Sequence, residues 1–167
     1  MPFTPYHFGP GLFLGLLFLS FIDFPTFLVA SVIVDTEPFL VLMFNLEYPL
    51  HGFFHSLLGG TIVAIPLALM MYKIRKKISP LLSFFRLEQE ISFRRVLVAS
   101  LSGIYIHILL DSRMYTDIQP FYPSSFNPLL NTGILAGLDS YIICIFSFFG
   151  AIIVYIFRLL LILRKSS

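Results

Sequence analysis

The sequence predicts an all-α, polytopic transmembrane helical bundle with a short N-terminal helical hairpin and an interfacial amphipathic helix. The chain of 167 residues is 57% hydrophobic and only 12% charged, whereas a soluble domain averages about 25% charged residues. Its longer apolar runs can cross a hydrocarbon core of about 30 Å as helices. The length favours one membrane-embedded domain over residues 1–167.

The N-terminal region predicts two short helices. Leu12–Ile22 is apolar apart from Ser20, but as a helix it covers only about half of a 30 Å hydrocarbon core. Asp23 suits an N-cap and Pro25 a first helical turn, so a second short helix is expected to reach about Val34. We therefore expect a helical hairpin over residues 10–36; the alternative is one kinked span.

The first full span is expected over His51–Tyr72, which contains no lysine, arginine, aspartate or glutamate. The basic cluster at residues 73–77 ends it. The preceding segment, Phe39–Leu50, is apolar but broken by polar residues and a proline, which favours a short interfacial helix or a loop. Pro80–Phe93 is amphipathic, with opposite charges four residues apart, and is expected to form a helix along the membrane surface.

Two further spans are expected over Val96–Leu110 and Tyr141–Leu163. Ser112–Asp139, rich in Pro, Asn, Ser and Tyr, is expected to be an ordered loop between them. Residues 1–72 contain no lysine or arginine, so the basic clusters all lie at one end of the predicted spans. The positive-inside rule places these clusters in the cytoplasm and the opposite helix ends toward the outer face of the cell (inner) membrane.

Two pairs of polar side chains lie at ends of the apolar runs. His51 and His55 are four residues apart at the start of one run, and His107 and Asp111 are four apart at the end of another. Residues four apart lie on the same face of a helix. Two helices that each present a ligand pair at one end predict a metal site between them.

The other histidine and two more acids lie at segment ends as well, which gives the candidate metal ligands His7, Asp35, Glu37, His51, His55, His107 and Asp111. A charge near the bilayer centre costs roughly 2.5–3.5 kcal/mol on insertion scales. The only basic residue near these acids in the sequence is Arg113. One or two divalent cations would offset the carboxylates, and imidazoles with carboxylates suit zinc, with manganese or iron as alternatives.

The number of donors indicates chemistry beyond a structural site. A structural zinc takes four protein ligands, so seven or eight donors favour two metals. Two-metal sites perform in-line displacement at phosphorus or activate water toward a carbonyl. Asp117 or Glu37 is the candidate catalytic base. A lone histidine is more often a packing residue and a lone aspartate a helix cap, so the prediction depends on the pairs occurring together.

These motifs resemble the YdjM-like group of membrane-bound, metal-dependent hydrolases, also described as LexA-binding, inner-membrane-associated hydrolases. That family shows an N-terminal His, then Pro-Asp-x-Asp, His-Arg-Gly-x-Thr-His-Ser and His-x-x-x-Asp. The matching positions here are His7, Asp35 with Glu37, His51 with His55-Ser56, and His107 with Asp111. The chain departs in having Glu37 for the second Asp, and Gly-Phe-Phe after His51. The order is more distantly similar to zinc-dependent phospholipase C.

The expected function is an integral-membrane, metal-dependent hydrolase that acts on a phosphoester or lipid substrate. A water activated at one or two metal ions would be the nucleophile. A metal-ion transporter or channel is the alternative, because intramembrane His and Asp clusters also mark ion pathways. A third interpretation is a non-catalytic scaffold whose metal only staples the helices. Membrane lipids and a small-molecule or lipid substrate are the expected partners, and no nucleic-acid-binding module is visible.

Overall fold

Short turns join some helices of the chain, and longer connections join the others. The structure is a computed structural model that describes residues 4–133 and 137–166, and these residues form helices and no strands. The α-helices are α1 (Phe8–Leu17), α2 (Phe24–Ala30), α3 (Thr36–Met43), α4 (Leu57–Phe84), α5 (Phe93–Ser112) and α6 (Leu138–Ser166). Short 3₁₀ turns at Thr4–His7, Ile33–Asp35 and Phe53–His55 precede α1, α3 and α4.

Within the described residues, four segments are long and apolar enough to cross a membrane, and they are Phe24–Met43, Leu57–Phe84, Phe93–Ser112 and Leu138–Arg164. The first of these contains α2 and α3 together with the 3₁₀ turn between them. Their side chains are largely apolar on the outside, as expected for helices in contact with lipid. The predicted all-α polytopic architecture is confirmed.

Helices α1 and α2 form the predicted hairpin. His7 lies just before α1 and its Nε2 is 3.1 Å from Asp111 Oδ1. Asp35 lies after α2, and its Oδ1 is 3.4 Å from His107 Nε2. The chain therefore leaves this end of the bundle in α1 and returns to it in α2, which excludes one kinked span. Asp23 caps α2, because its carboxylate accepts a hydrogen bond from a backbone N–H of the first turn.

Small residues bring α2, α4 and α5 together. A Cβ on Gly103 would lie 2.6 Å from Ala30 Cβ, and a Cβ on Gly60 would lie 2.7 Å from the Ile104 side chain. Such close approach is how helices pack within a membrane. The interior between these helices is apolar and fully buried, and it consists of Ala30, Val34, Ala64, Leu67, Ala68, Met71, Val96, Ile104 and Ile108.

The prediction that the first full span begins at His51 is wrong. Helix α4 begins at Leu57, after Ser56, whose hydroxyl accepts a hydrogen bond from Gly59 N at 2.9 Å. The extended backbone of Ser56 (φ −107°, ψ 156°) interrupts the helix there. His55 ends a separate 3₁₀ turn and His51 lies in the bend before it, so the two histidines do not share a helical face.

The amphipathic helix predicted for Pro80–Phe93 does not form. Helix α4 continues to Phe84, and residues 85–92 are a non-helical connection to α5. Gln89 accounts for the difference, because its Nε2 donates to the carbonyls of Leu19 and Ile22 at 2.6 Å each. Its Oε1 accepts a hydrogen bond from the backbone N–H at the start of α2. These bonds tie the connection to the hairpin turn.

The bundle has two chemically different ends. Helices α4 and α6 begin, and α5 ends, at what we call the histidine end, where His55, His107 and Asp111 lie. The opposite end, which we call the basic end, carries the clusters at residues 73–77 and 94–95 and the basic residues of α6. The loop after α5 covers the histidine end, where the Pro120 carbonyl accepts a hydrogen bond from the first residue of α4.

Candidate metal centre

Four side chains at the histidine end form one compact cluster. Asp35, His55, His107 and Asp111 each offer one ligand atom, and these atoms all lie within 4.8 Å of one another. We call them the four-residue group. All four side chains are buried. Because they come from the turn after α2, the turn before α4 and the end of α5, the fold assembles the group from three separate segments.

Each of the two imidazoles of the group makes a hydrogen-bond contact through its Nδ1 atom. His55 Nδ1 is 2.7 Å from Glu37 Oε2, and His107 Nδ1 is 2.8 Å from the Ser31 carbonyl oxygen. A carbonyl only accepts, so His107 Nδ1 must donate, which in the neutral ring leaves the lone pair on Nε2. Histidines that bind metal are oriented by such outer hydrogen bonds to a carboxylate or carbonyl.

The opposite ring nitrogens face carboxylates. His107 Nε2 lies 3.4 Å from Asp35 Oδ1 and 3.5 Å from Asp111 Oδ2. An imidazole lone pair and two carboxylates repel each other unless a proton or a metal ion lies among them. Throughout residues 4–133 and 137–166, every histidine Nε2 is buried and makes no hydrogen bond, namely those of His7, His51, His55 and His107. These donors fit a metal site.

Burial acts on the protonation of His55. It lowers the pKa of the imidazole, and the hydrogen bond to Glu37 opposes this effect. The neutral form is therefore favoured, and a neutral imidazole is the form that binds metal.

His7 borders the group on one side. Its ring stacks on His107 with centroids 4.0 Å apart, and its Nε2 approaches Asp111 Oδ1 to 3.1 Å. Neither of these two atoms has a hydrogen bond of acceptable geometry in the described part of the chain. The structure therefore places the predicted ligand His7 within reach of an ion that Asp111 would hold.

His51 and Asp117 lie on the other side. His51 Nδ1 is 3.1 Å from Asp117 Oδ1 and 3.0 Å from Oδ2, and the His51 backbone N–H also donates to this carboxylate. The His51 ring contacts His55 edge-on at 4.9 Å between centroids. His51 is thus outside the four-residue group but adjacent to it, and Asp117, a predicted base, orients His51.

Glu37, predicted both as a ligand and as a base, lies behind His55. Its Oε2 contacts His55 Nδ1, and its Oε1 accepts a hydrogen bond from the Phe54 backbone N–H at 3.2 Å. Both oxygens are therefore engaged, and Oε2 contacts the ring nitrogen of His55 that is opposite Nε2. In this position Glu37 orients His55 and contributes negative charge to the site.

Two arginines of the chain form ion pairs away from the site. Arg113, the basic residue nearest in sequence to these acids, forms its ion pair with Asp139. Arg75, which is buried, forms its ion pair with Asp23 at the basic end. The carboxylates of the site face imidazoles, and a divalent cation among them would offset their charge.

A cavity of about 300 Å³ lies against His51 and Asp117. Its wall consists of Tyr48, Pro49, His51, Gly52, Phe53, Ser56, Asp117, Gln119 and Tyr122. Tyr115 stacks on the His51 ring with centroids 4.3 Å apart, and its hydroxyl is buried. Burial and the charge of Asp111 raise the pKa of this phenol above its usual range, so it stays protonated.

Sequence reasoning missed the part that Ser31 plays. The group that orients His107 is the backbone carbonyl of Ser31, 76 residues away along the chain. Because every residue carries a carbonyl, no side-chain pattern points to this position. The stacking of Tyr115 on His51 likewise follows only from the path of the loop after α5.

Comparison with known proteins assigns no family. No family model, no curated protein and no solved structure matches the chain significantly. The resemblance to the YdjM-like group stays a prediction that depends on the order of the motifs.

Proposed function

We propose that this protein is an integral-membrane, metal-dependent hydrolase that acts on a phosphoester or lipid substrate at its histidine end. The observation that carries the proposal is a set of three buried histidine Nε2 atoms, of His7, His55 and His107, beside the carboxylates of Asp35 and Asp111. A cavity lined by His51 lies next to this set. The order of the motifs, similar to that of the YdjM-like group, supports the same class.

The four-residue group would hold the first ion. His7 on one side and His51 on the other are the donors available to a second one. Imidazole and carboxylate ligands favour zinc, with manganese or iron as alternatives. A bound divalent ion supplies Lewis acidity and lowers the pKa of water toward about 7.

The chain's own residues would position the substrate and move protons. The Asp117 side chain is 38% exposed and borders the cavity, so it can exchange a proton with a molecule bound there. Through its contact with Nδ1 it also fixes the ring of His51. No lysine or arginine lines this cavity in the described part of the chain, so the negative charge of a phosphoester would be met by the metal.

The exposed surface around the site supports a substrate that arrives from the bilayer. Helix α3 directly follows Asp35, and its outward side chains are apolar, with Phe39 60% and Leu42 64% exposed. Phe126, in the loop that covers this end, is 70% exposed. Such a surface is stable within the lipid interface.

The proposed location is the cell (inner) membrane with the site toward the outer face, on the positive-inside rule. A cysteine at Ser125, with Cys144 replaced by serine, should react with an impermeant maleimide in intact cells. A cysteine at Ser79 should be protected until the cells are permeabilised. The opposite labelling pattern would move the site to the cytoplasmic face.

A channel or metal transporter is the less favoured function. Ion pathways need polar groups along the span. Between the four-residue group and the basic end, the interior of α4 and α5 is packed with buried apolar side chains, among them Ala64, Leu67, Ala68 and Val96.

Separate effects on metal content and turnover test the catalytic role. His107→Ala should remove metal. Asp117→Asn should leave metal bound at the four-residue group but lower turnover about 10²–10⁴-fold, because a proton-transfer group is lost. The assay uses phospholipids, polyprenyl phosphates and simple phosphoesters with each metal in detergent. The proposal fails if the metal-loaded protein hydrolyses none of them and every coordination position proves to be filled by protein.

A further inference from the structure

The basic end contains a buried arginine whose hydrogen-bonding capacity is only partly used. The Arg75 side chain is 1% exposed, and its Nε donates to Asp23 Oδ1 at 2.5 Å. Nη1 donates to Ser79 Oγ at 3.3 Å. Nη2 is buried and has no hydrogen-bond partner among the described residues. An unpaired buried N–H group of a charged side chain is costly, so a ligand for it is expected.

A cavity of about 230 Å³ lies against this arginine. It is lined by Arg75, Ser79, Leu82, Ser83, Glu88 and Gln89. Gln89 is fixed by its bonds to the hairpin turn, so the wall that it forms is well ordered. The volume is below the 300–1,000 Å³ of a pocket for a drug-sized ligand and suits one small polar group.

The position of the cavity matches the headgroup region of a bilayer. Arg75 follows Leu57 by 18 residues, or about 27 Å of helix, which is close to the thickness of a hydrocarbon core. Residues 73–95 contain seven basic and two acidic residues, so the surrounding field is positive. Basic pockets at this depth are where anionic headgroups bind.

We propose that this cavity binds a phosphodiester monoanion, with Arg75 Nη2 and the Ser83 hydroxyl as donors. Arginine suits this role because its planar group of N–H donors matches phosphate oxygens. Asp23 already offsets the single positive charge of Arg75, so the surrounding basic residues supply the positive field, and Glu88 adds a negative charge to the lining. A singly charged diester is therefore preferred over a phosphate dianion. An anionic lipid headgroup and free phosphate share the required chemistry.

The Asp23–Arg75 pair by itself has a purely structural role, since it links α4 to the start of α2. That role uses Nε and leaves Nη2 unexplained. The test must therefore block the cavity without breaking the ion pair. Ser83→Leu does so, because Ser83 lines the cavity and has no part in the contact of Arg75 with Asp23.

The experiment measures the unfolding midpoint of the full chain in neutral detergent. The additives are phosphatidylglycerol, a diacylglycerol with the same acyl chains, and inorganic phosphate. At about ten times its Kd, phosphatidylglycerol should raise the midpoint by about 3–6 °C. Diacylglycerol should raise it far less, and inorganic phosphate less than the lipid.

Variants assign the effect to the cavity. Ser83→Leu should remove most of the shift, and Arg75→Lys, which keeps the charge opposite Asp23, should weaken it. Lys77→Gln removes one exposed basic residue outside the cavity, and this variant should keep most of the shift. An equal shift with inorganic phosphate would support the site with the free ion as ligand. An equal shift with diacylglycerol, a full shift in Ser83→Leu, or no shift with any anion would overturn the proposal.

Discussion

Two clusters of buried charge lie at opposite ends of the bundle, and they are compensated differently. At the basic end, Asp23 Oδ1 accepts a hydrogen bond from Arg75, and Oδ2 accepts from the Thr26 hydroxyl at 2.7 Å. At the histidine end, Asp35 and Asp111 face imidazole nitrogens that make no hydrogen bonds of their own. The first carboxylate is paired with an arginine of the chain, whereas Asp35 and Asp111 face imidazoles, and we propose that a bound cation offsets their charge.

The difference separates a carboxylate that pairs with an arginine of the chain from carboxylates that face only imidazoles. In the first case the two buried charges offset each other, although removing one partner is costly. Buried carboxylates opposed to neutral imidazoles gain stability only when an ion binds. The stability of the histidine end should therefore depend on metal, and that of the basic end on the pairing of two side chains.

The largest expected effect is that of removing metal. Chelation of the wild-type protein should lower its unfolding midpoint by more than about 10 °C, since structural zinc sites supply on the order of 10 kcal/mol. The double variant Asp35→Asn/Asp111→Asn should unfold at the same temperature with and without chelator. If the chelator does not change the unfolding midpoint of the wild type, the histidine end is stable without metal.

The next effect is at the basic end. Arg75→Met should cost about 3–5 kcal/mol, because it leaves the buried Asp23 without its partner. Asp23→Asn combined with Arg75→Met should recover much of this loss, since no charge then stays buried. Denaturant unfolding measures both. If the single and the double variant lose equal stability, Arg75 contributes through packing and not through its charge.

A smaller effect on metal affinity is expected at Glu37, which contacts the Nδ1 atom of His55. Glu37→Gln keeps an acceptor for His55 Nδ1 but removes the charge, so metal affinity should fall about 10–100-fold. A competition titration with a chelator of known affinity measures the change. The matched control is Glu47→Gln, an exposed acid that should leave the affinity unaltered. If the two substitutions change metal affinity equally, Glu37 has no specific role in orienting His55.

The smallest effect is expected at a pair that is neither fully buried nor part of the site. Arg113 and Asp139 are 41% and 31% exposed, respectively. Arg113→Gln should change stability by less than about 1 kcal/mol and leave metal content unchanged. Loss of metal in this variant would mean that Arg113 is coupled to the site after all.

The sequence predicted what depends on local spacing. The pair His107 and Asp111 lies on one face of α5, as the spacing requires, because no cap interrupts that helix. The similarly spaced pair His51 and His55 does not lie on one helical face, because Ser56 caps α4 and the helix begins only after both histidines. A serine within an apolar run is compatible with a helix interior, and only the tertiary contacts of the loop show that the helix starts there.

Contacts between distant segments could not be predicted. Arg75 and Asp23 are 52 residues apart. From the sequence, Arg75 is one member of a basic cluster and Asp23 is a helix cap, and nothing indicates that they pair. Gln89 had no recognisable role, yet it replaces the predicted surface helix by an extended connection. The hairpin of α1 and α2 was predictable, because only a hairpin brings His7 and Asp35 to the same end.

Elemental analysis of the purified protein tests the central claim most directly. The protein should be extracted in mild detergent without chelator, beside His55→Ala as the matched variant. One or two transition-metal ions per chain are expected for the wild type, because the donors of the histidine end suffice for two. His55→Ala should contain markedly less. A wild-type protein that contains no metal and takes up none from added zinc or manganese would contradict the account.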